Sequence, residues 1–205
     1  MNLLGIVNGF DIYEENGCVW FTSPTTIDAD GANGQNGQEV AYKNDDKGLD
    51  SLSSVGLAIV EGQVKCVKDW ARNCVILGAD NEPHIFPGGL IASTTWYRDR
   101  TKLASDPNAY VDATTVKYIV VPPLIVQRTA GVVRGCKATV TYGERQIECV
   151  VADLGPGNHL GEISIAAAIA LGIPSNARHG GIDEAVVKFQ LWPGTPAPGF
   201  ELQHA

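Results

Sequence analysis

The chain has 205 residues, 44% hydrophobic and 19% charged, which supplies one sizeable apolar core and excludes a disordered chain. Twenty-three acidic residues against 15 basic ones leave a net charge of −8 at pH 7, a field that repels phosphate backbones and anionic lipid. Nucleic acid and membrane partners are therefore not expected, and no stretch approaches the roughly 18 apolar residues of a membrane span.

In chain order, Gly17-Cys18-Val19-Trp20-Phe21-Thr22-Ser23 reads as a strand, rich in β-branched and aromatic residues. Gly, Asn and Asp then cluster from Asp28 to Gly48, which is loop chemistry. Leu49, Leu52 and Val55 fit one helical turn. Cys74 to Gly78 and Leu90 to Trp96 read as strands joined through a turn at Asn81-Glu82-Pro83. Val116 to Val121 has the unbroken apolar character of a buried strand, stopped by Pro122-Pro123. Cys136 to Tyr142 and Gln146 to Ala152, around Gly143-Glu144-Arg145, predict a hairpin. Ser164 to Leu171 predicts a helix capped by Ser164 and closed by Gly172 and Pro174. Ala185 to Trp192 is a final strand, and the tail from Pro193 needs no regular structure. Many short strands, few helices and long loops predict a mainly β barrel or sandwich in one domain spanning 1–205, with 1–16 and 193–205 peripheral.

The five cysteines, Cys18, Cys66, Cys74, Cys136 and Cys149, contain no CxxC pair, and the four histidines are scattered. No zinc site of ordinary spacing is expected, and neither a metal nor an organic cofactor is predicted. Cys66 and Cys74 have a spacing that permits a loop disulfide, but an odd cysteine count does not describe a disulfide framework. No Gly-x-Ser-x-Gly elbow, phosphate loop or dinucleotide fingerprint is present.

The segment Val150 to Ser164 carries the chemistry. Asp153 follows an apolar strand, whose rigid end would hold its carboxylate. Glu162 lies nine positions on, immediately before the helix, and glycines and a proline between them permit a tight return. Two carboxylates on rigid element ends can divide acid and base roles, as glycoside hydrolysis requires. The same residues also fit purely structural work, Glu162 facing the helix N-terminus and Asp153 capping its own turn. Asp28-Ala29-Asp30-Gly31 opens like a calcium loop, with Glu39 at the twelfth position, but strand and loop flanks do not match an EF-hand. The acids of that stretch fit an Asx-stabilised turn or a polar substrate groove. Trp20, Trp96 and Tyr97 are candidates for a sugar-stacking platform, against the ordinary alternative of core or edge packing.

Asp153-Leu154-Gly155-Pro156 through Gly161-Glu162-Ile163-Ser164-Ile165-Ala166 resembles the active-site segment of glycoside hydrolase family 75, the fungal-type endo-chitosanases. Ile27-Asp28-Ala29-Asp30-Gly31-Ala32, Gly48-Leu49-Asp50, Ile91-Ala92-Ser93-Thr94-Thr95, and Tyr110-Val111-Asp112-Ala113 followed by Tyr118-Ile119-Val120-Val121-Pro122 resemble further stretches of it, in order. The family's usual Gly-Glu-Gly-Ser stands here as Gly161-Glu162-Ile163-Ser164, and the first residues, Met1-Asn2-Leu3-Leu4-Gly5-Ile6-Val7-Asn8, do not read as the signal peptide of its secreted members. The run from the strand before Asp153 to the last strand is similar to the double-psi β-barrel of family 45 endoglucanases, expansins and lipoprotein A-like proteins. The resemblance implies a six-stranded double-psi β-barrel with one short helix after the active-site loop and long decorating loops. It implies Asp153 and Glu162 as the catalytic carboxylates in an inverting mechanism; Glu162 is taken as the acid and Asp153 as base or electrostatic partner, with Asp28 or Asp30 as the alternative base. Asp28 and Asp30 are candidates for binding glucosamine ammonium groups, with Trp96, Tyr97 and His159 as further substrate-binding candidates.

The leading expectation is thus an endo-chitosanase-like hydrolase of β-1,4-linked amino sugars. Its rivals are a peptidoglycan-cleaving wall hydrolase or effector on the same scaffold, with an immunity or secretion partner left open, and a non-catalytic wall-binding barrel. Action outside the producing cell or in the wall compartment is expected, reached by non-classical export, phage lysis or loss of a signal.

Overall fold

A computed structural model describes residues 1–131 and 133–204, with only the backbone of Asn36. The strands are β1 (Asn2–Val7), β2 (Phe10–Glu15), β3 (Cys18–Asp28), β4 (Tyr42–Lys43), β5 (Leu57–Val60), β6 (Gln63–Cys66), β7 (Leu90–Ile91), β8 (Tyr118–Val121), β9 (Cys136–Tyr142), β10 (Arg145–Leu154), β11 (Glu162–Ser164) and β12 (Ile182–Pro196). Two helices, α1 (Pro123–Arg128) and α2 (Ile165–Leu171), accompany them.

Six strands close a barrel in the order β3-β11-β8-β10-β9-β12, with β12 returning to β3. The β3–β11 and β8–β10 neighbours run parallel and the other barrel pairs antiparallel. Short β11 is thereby threaded between β3 and β8, and the crossed connections are those of the double-psi barrel the sequence resembles. Alternate positions of β3, namely Val19, Phe21, Ser23, Thr25 and Ile27, are all buried. Phe21 stacks on its cross-strand partner Phe189 at 4.8 Å between ring centroids. Ile27, Ile163, Ile119 and Val151 form a continuous paired row across four strands, all buried. An apolar interior is therefore in place wherever the period-two pattern turns inward.

The predicted hairpin and helix appear where expected. Tyr142 pairs Arg145 across the β9–β10 turn, and Ser164 Oγ accepts the Ala167 N–H at 3.2 Å to cap α2. The N-terminal 16 residues, outside the six barrel strands, form the hairpin β1–β2, which extends the sheet along β3. Two expectations need correction. The last strand runs on through Pro196, so the tail begins later. Cys74–Gly78 and Leu90–Trp96 form only the two-residue β7 and isolated bridges such as Val75 with Ser93. The two segments meet through a few backbone hydrogen bonds, Ile76 N–H to the Ala92 carbonyl at 2.9 Å and Thr94 N–H to the Cys74 carbonyl at 2.8 Å, and side chains take other backbone groups. Asn33 exchanges both amide contacts with Ser93 at 2.9 Å, and Thr95 Oγ1 takes the Val111 N–H at 3.0 Å. The chain between β3 and β8 is thus a loop-rich layer whose strand ladders are the two-stranded pairs β4–β7 and β5–β6. Cys66 and Cys74 are free thiols.

Candidate active site

The register around β8 determines which side chains meet. Val120 is the Cα partner of Asp153 on parallel β10 and of Glu162 on antiparallel β11. Directly paired residues point to one face, so the two carboxylates flank Val120 on the same side of the barrel wall. Two strand spacings put their Cα atoms about 10 Å apart. Glu162 also pairs Thr26 of β3, and Asp28 lies two residues on, which places it on that face too. A register shift between Val151 and Asp153 re-aims the end of β10, as a bulge does beside many active sites.

Gly161 makes the turn into Glu162 feasible. Its φ is +93°, and a Cβ there would fall on the Pro24 carbonyl oxygen and Ser23 Oγ. Only glycine serves where the backbone must be left-handed and pressed against β3. The Gly161 carbonyl then accepts the Thr26 N–H at 3.1 Å, locking β11 beside β3.

These elements form one side of a cavity of about 670 Å³ lined by Asp28, Asp30, Asp50, Asp153 and Glu162, with His159, Tyr42 and Trp70 among the other walls. No lysine or arginine lines it among the described residues. Asp153 and Asp28 are held by hydrogen bonds. Asp153 Oδ1 accepts the N–H groups of Trp96 and Leu154, both at 2.8 Å. Asp28 Oδ1 accepts the Asp30 N–H at 2.8 Å, and Tyr118 Oη donates to Asp28 Oδ2 and to the Asp30 carbonyl, each at 2.9 Å. Asp30 Oδ1 is buried without a hydrogen-bond partner among the described residues.

Burial dominates their ionisation. It pushes Asp28 up to about 6, with hydrogen bonds from Asp30 and Tyr118 pulling the other way. Asp153 is pushed well above the carboxylate range, first by burial and then by the charge of Asp28. Glu162 is pushed the same way by burial, then by Asp28, Asp153 and Asp50. Asp30 follows for burial and the charges of Asp28, Asp153 and Glu162. His159 moves down on burial, so its 3.9 Å approach to Glu162 joins two neutral groups rather than an ion pair. Its Nε2 lies 2.8 Å from Thr26 Oγ1, which fixes the ring over the Asp153–Glu162 loop.

The site thus gathers Asp28, Asp30, Asp153, Glu162 and His159. Trp96 and Tyr97 lie outside the cavity lining. Trp96 packs beneath the Arg134 guanidinium at 5.1 Å and contributes only its backbone N–H to Asp153. Tyr97 meets Phe200 edge-on at 5.2 Å, holding the tail. Trp20 stacks on Tyr13 at 4.8 Å, also away from the site. Asp50, Tyr42, Trp70 and Tyr118 are the residues that sequence reading missed. Asp50 and Tyr118 stood inside stretches read for family likeness, while Tyr42 and Trp70 carried no local signal.

Asp28, Asp30 and Asp153 bring one oxygen each within 4.8 Å of one another, the set that would take a cation, whether an ammonium or a divalent ion. Glu39, the twelfth position of the calcium-loop pattern, is exposed and outside the cavity lining. The thiols of Cys18, Cys66, Cys74, Cys136 and Cys149 are all pushed up by burial, Cys74 to about 12 beside the carboxylates. None is the activated thiolate a cysteine nucleophile needs. No protein-family model matches the chain, and no curated protein matches it.

Proposed function

We propose that this protein is an endo-acting glycoside hydrolase that cuts β-1,4 bonds in a glucosamine-containing polysaccharide, chitosan by preference. The observation that carries the reading is the cavity lined by five carboxylates with no lysine or arginine among the described residues. A free-amine sugar polymer offers the positive charge those groups lack. The resemblance of the Asp153–Ala166 segment to family 75 chitosanases agrees with it.

In this reading protonated Glu162 gives its proton to the glycosidic oxygen as the C1–O bond breaks. Ionised Asp153 takes a proton from the water whose oxygen bonds to C1. Burial suits Glu162 to the acid role because it keeps the proton in place at mild pH. Ammonium groups held by Asp28 and Asp30 supply the charge that lets Asp153 ionise, because a nearby cation lowers a carboxyl pKa. With Asp153 and Glu162 on the two strands that flank Val120, inversion is the outcome that the chitosanase resemblance implies.

Peptidoglycan is the second reading, since Ile27, Val55, Val120, Leu154 and Ala177 give the same cavity an apolar wall that suits an acetyl group. Product release from chitosan oligomers and from purified peptidoglycan, side by side, separates the two. Chitosan cleavage that drops at least about a hundredfold in Glu162→Gln is the expected result. Cleavage of peptidoglycan alone moves the substrate while keeping the site. A wild type that cleaves neither leaves a wall-binding barrel in its place.

A further inference from the structure

The wall opposite the acid/base pair carries two side chains that the mechanism leaves unused. The Asp50 N–H donates to the Ala41 carbonyl at 3.0 Å, and its Oδ1 accepts from Ser51 N at 2.6 Å and Ser54 Oγ at 2.9 Å. Arg178 braces the same loop, donating to the carbonyls of Asp46, Gly48 and Asp50 at 2.7, 3.1 and 2.9 Å. That guanidinium is occupied by backbone oxygens and does not line the cavity. Asp50 therefore presents a carboxylate from a rigid mount.

The single-turn helix Leu52–Val55 leads from Asp50 to Gly56, and Trp70 lies against that glycine. A Cβ at Gly56 would stand 3.0–3.1 Å from Lys68 Cβ, Ala71 Cβ and Trp70 Cη2. The missing side chain lets the indole settle on the turn. Trp70 nonetheless remains 50% exposed and lines the cavity. Its own turn, Asp69–Asn73, is tied down by Arg72, which pairs with Asp69 and Glu82 at 3.5 Å each. Cys74 Sγ also donates to the Trp70 carbonyl at 3.6 Å. A braced, half-exposed indole is an unfilled apolar surface in an otherwise acidic cavity.

We propose that Asp50 and Trp70 form a binding subsite for one glucosamine unit of the polymer. The carboxylate takes the ammonium in a charge-assisted hydrogen bond, and the indole covers an apolar C–H face of the ring. Ser54, hydrogen-bonded to Asp50 and next to Val55, lines the same cavity. The inference rests on the glycosidase reading and adds the place where a free amine is told from an acetamide. An N-acetyl sugar keeps the stacking face but offers Asp50 no cation.

Titration calorimetry on the Glu162→Gln protein tests it, with glucosamine hexamer and N-acetylglucosamine hexamer as probes and the melting temperature of every variant recorded. Adding Asp50→Asn weakens the glucosamine hexamer about tenfold and leaves the acetylated one unchanged, as expected of one lost charge-assisted bond. Adding Trp70→Ala weakens both hexamers about tenfold, and Trp70→Phe recovers most of that loss. Folded Asp50→Asn and Trp70→Ala proteins that bind as tightly as their parent overturn the subsite and leave the glycosidase reading standing. Should Asp50→Asn not fold, the Trp70 pair decides, and equal losses in Ala and Phe overturn the platform. A parent that binds neither hexamer, with a wild type that cleaves neither polymer, overturns the glycosidase reading and the subsite together.

Discussion

Glu162 stands two residues before the Ser164 cap of α2, where the positive end of a helix favours a charged carboxylate. That preference is worth about 0.3–1 kcal/mol, under one pKa unit, whereas burial moves a carboxyl by up to several. Burial wins, and the group is held well above the carboxylate range, with Asp28, Asp153 and Asp50 adding to the shift. Tyr118 acts in the opposite direction on its neighbour, because its hydroxyl stabilises ionised Asp28 at 2.9 Å. Tyr118→Phe removes that donor and the one to the Asp30 carbonyl. The Asp28 titration then moves above its value of about 6, read by NMR of the carboxyl carbon, and the protein loses about 1–3 kcal/mol in urea unfolding. An Asp28 midpoint that stays put or falls would show that the phenol does not serve the carboxylate.

At the scale of elements, β11 and α2 form one device. Ser164 ends the strand, caps the helix through Ala167 N, accepts the Tyr118 N–H at 3.0 Å and donates to the Val116 carbonyl at 2.7 Å. Ser164→Ala abandons three backbone groups in a buried place, which exceeds the usual cost of about 1 kcal/mol for a lost cap. A loss of about 2–4 kcal/mol in denaturant unfolding is expected, with Glu162 released from register and activity falling with it. A loss within about 0.5 kcal/mol would mean the segment is held by its pairing alone. The helix was legible in the sequence because capping serine, alanine run and closing glycine are local signals. The β9–β10 hairpin was legible for the same reason. What periodicity alone could not reach is β11, whose three residues show no period and whose partners β3 and β8 lie far off in sequence. The barrel was reached by likeness to known barrels. Asp153 and Glu162 stood out because they mark element boundaries. Asp50 and Trp70 reach the cavity only through loops closed by side chains such as Arg178 and Arg72, and such closure leaves no pattern in the chain.

For the molecule as a whole, the carboxylate cluster reverses the common dependence of stability on pH. Asp28, Asp30, Asp153 and Glu162 all bind protons more tightly folded than unfolded. Between their ordinary values and their raised ones the native state therefore holds more protons than the unfolded chain, and stability falls as pH rises. The contribution is whole below about pH 4 and is lost as pH climbs through the folded values, at about 6 for Asp28. For Asp28 alone the shift corresponds to about 3 kcal/mol. Asp99 and Glu148, held low by exposed partners, oppose this trend from the surface, where such contacts are worth little. Thermal melts at pH 5 and pH 8 should give the higher midpoint at pH 5, and Glu162→Gln, which carries no titratable proton, should narrow the gap. A midpoint independent of pH in that window would mean the cavity hydrates its carboxylates as well as bulk water does. A glucosamine polymer should raise the midpoint most at pH 6 to 7, where its ammonium groups are still charged and supply the countercharge that the protein withholds from its own cavity.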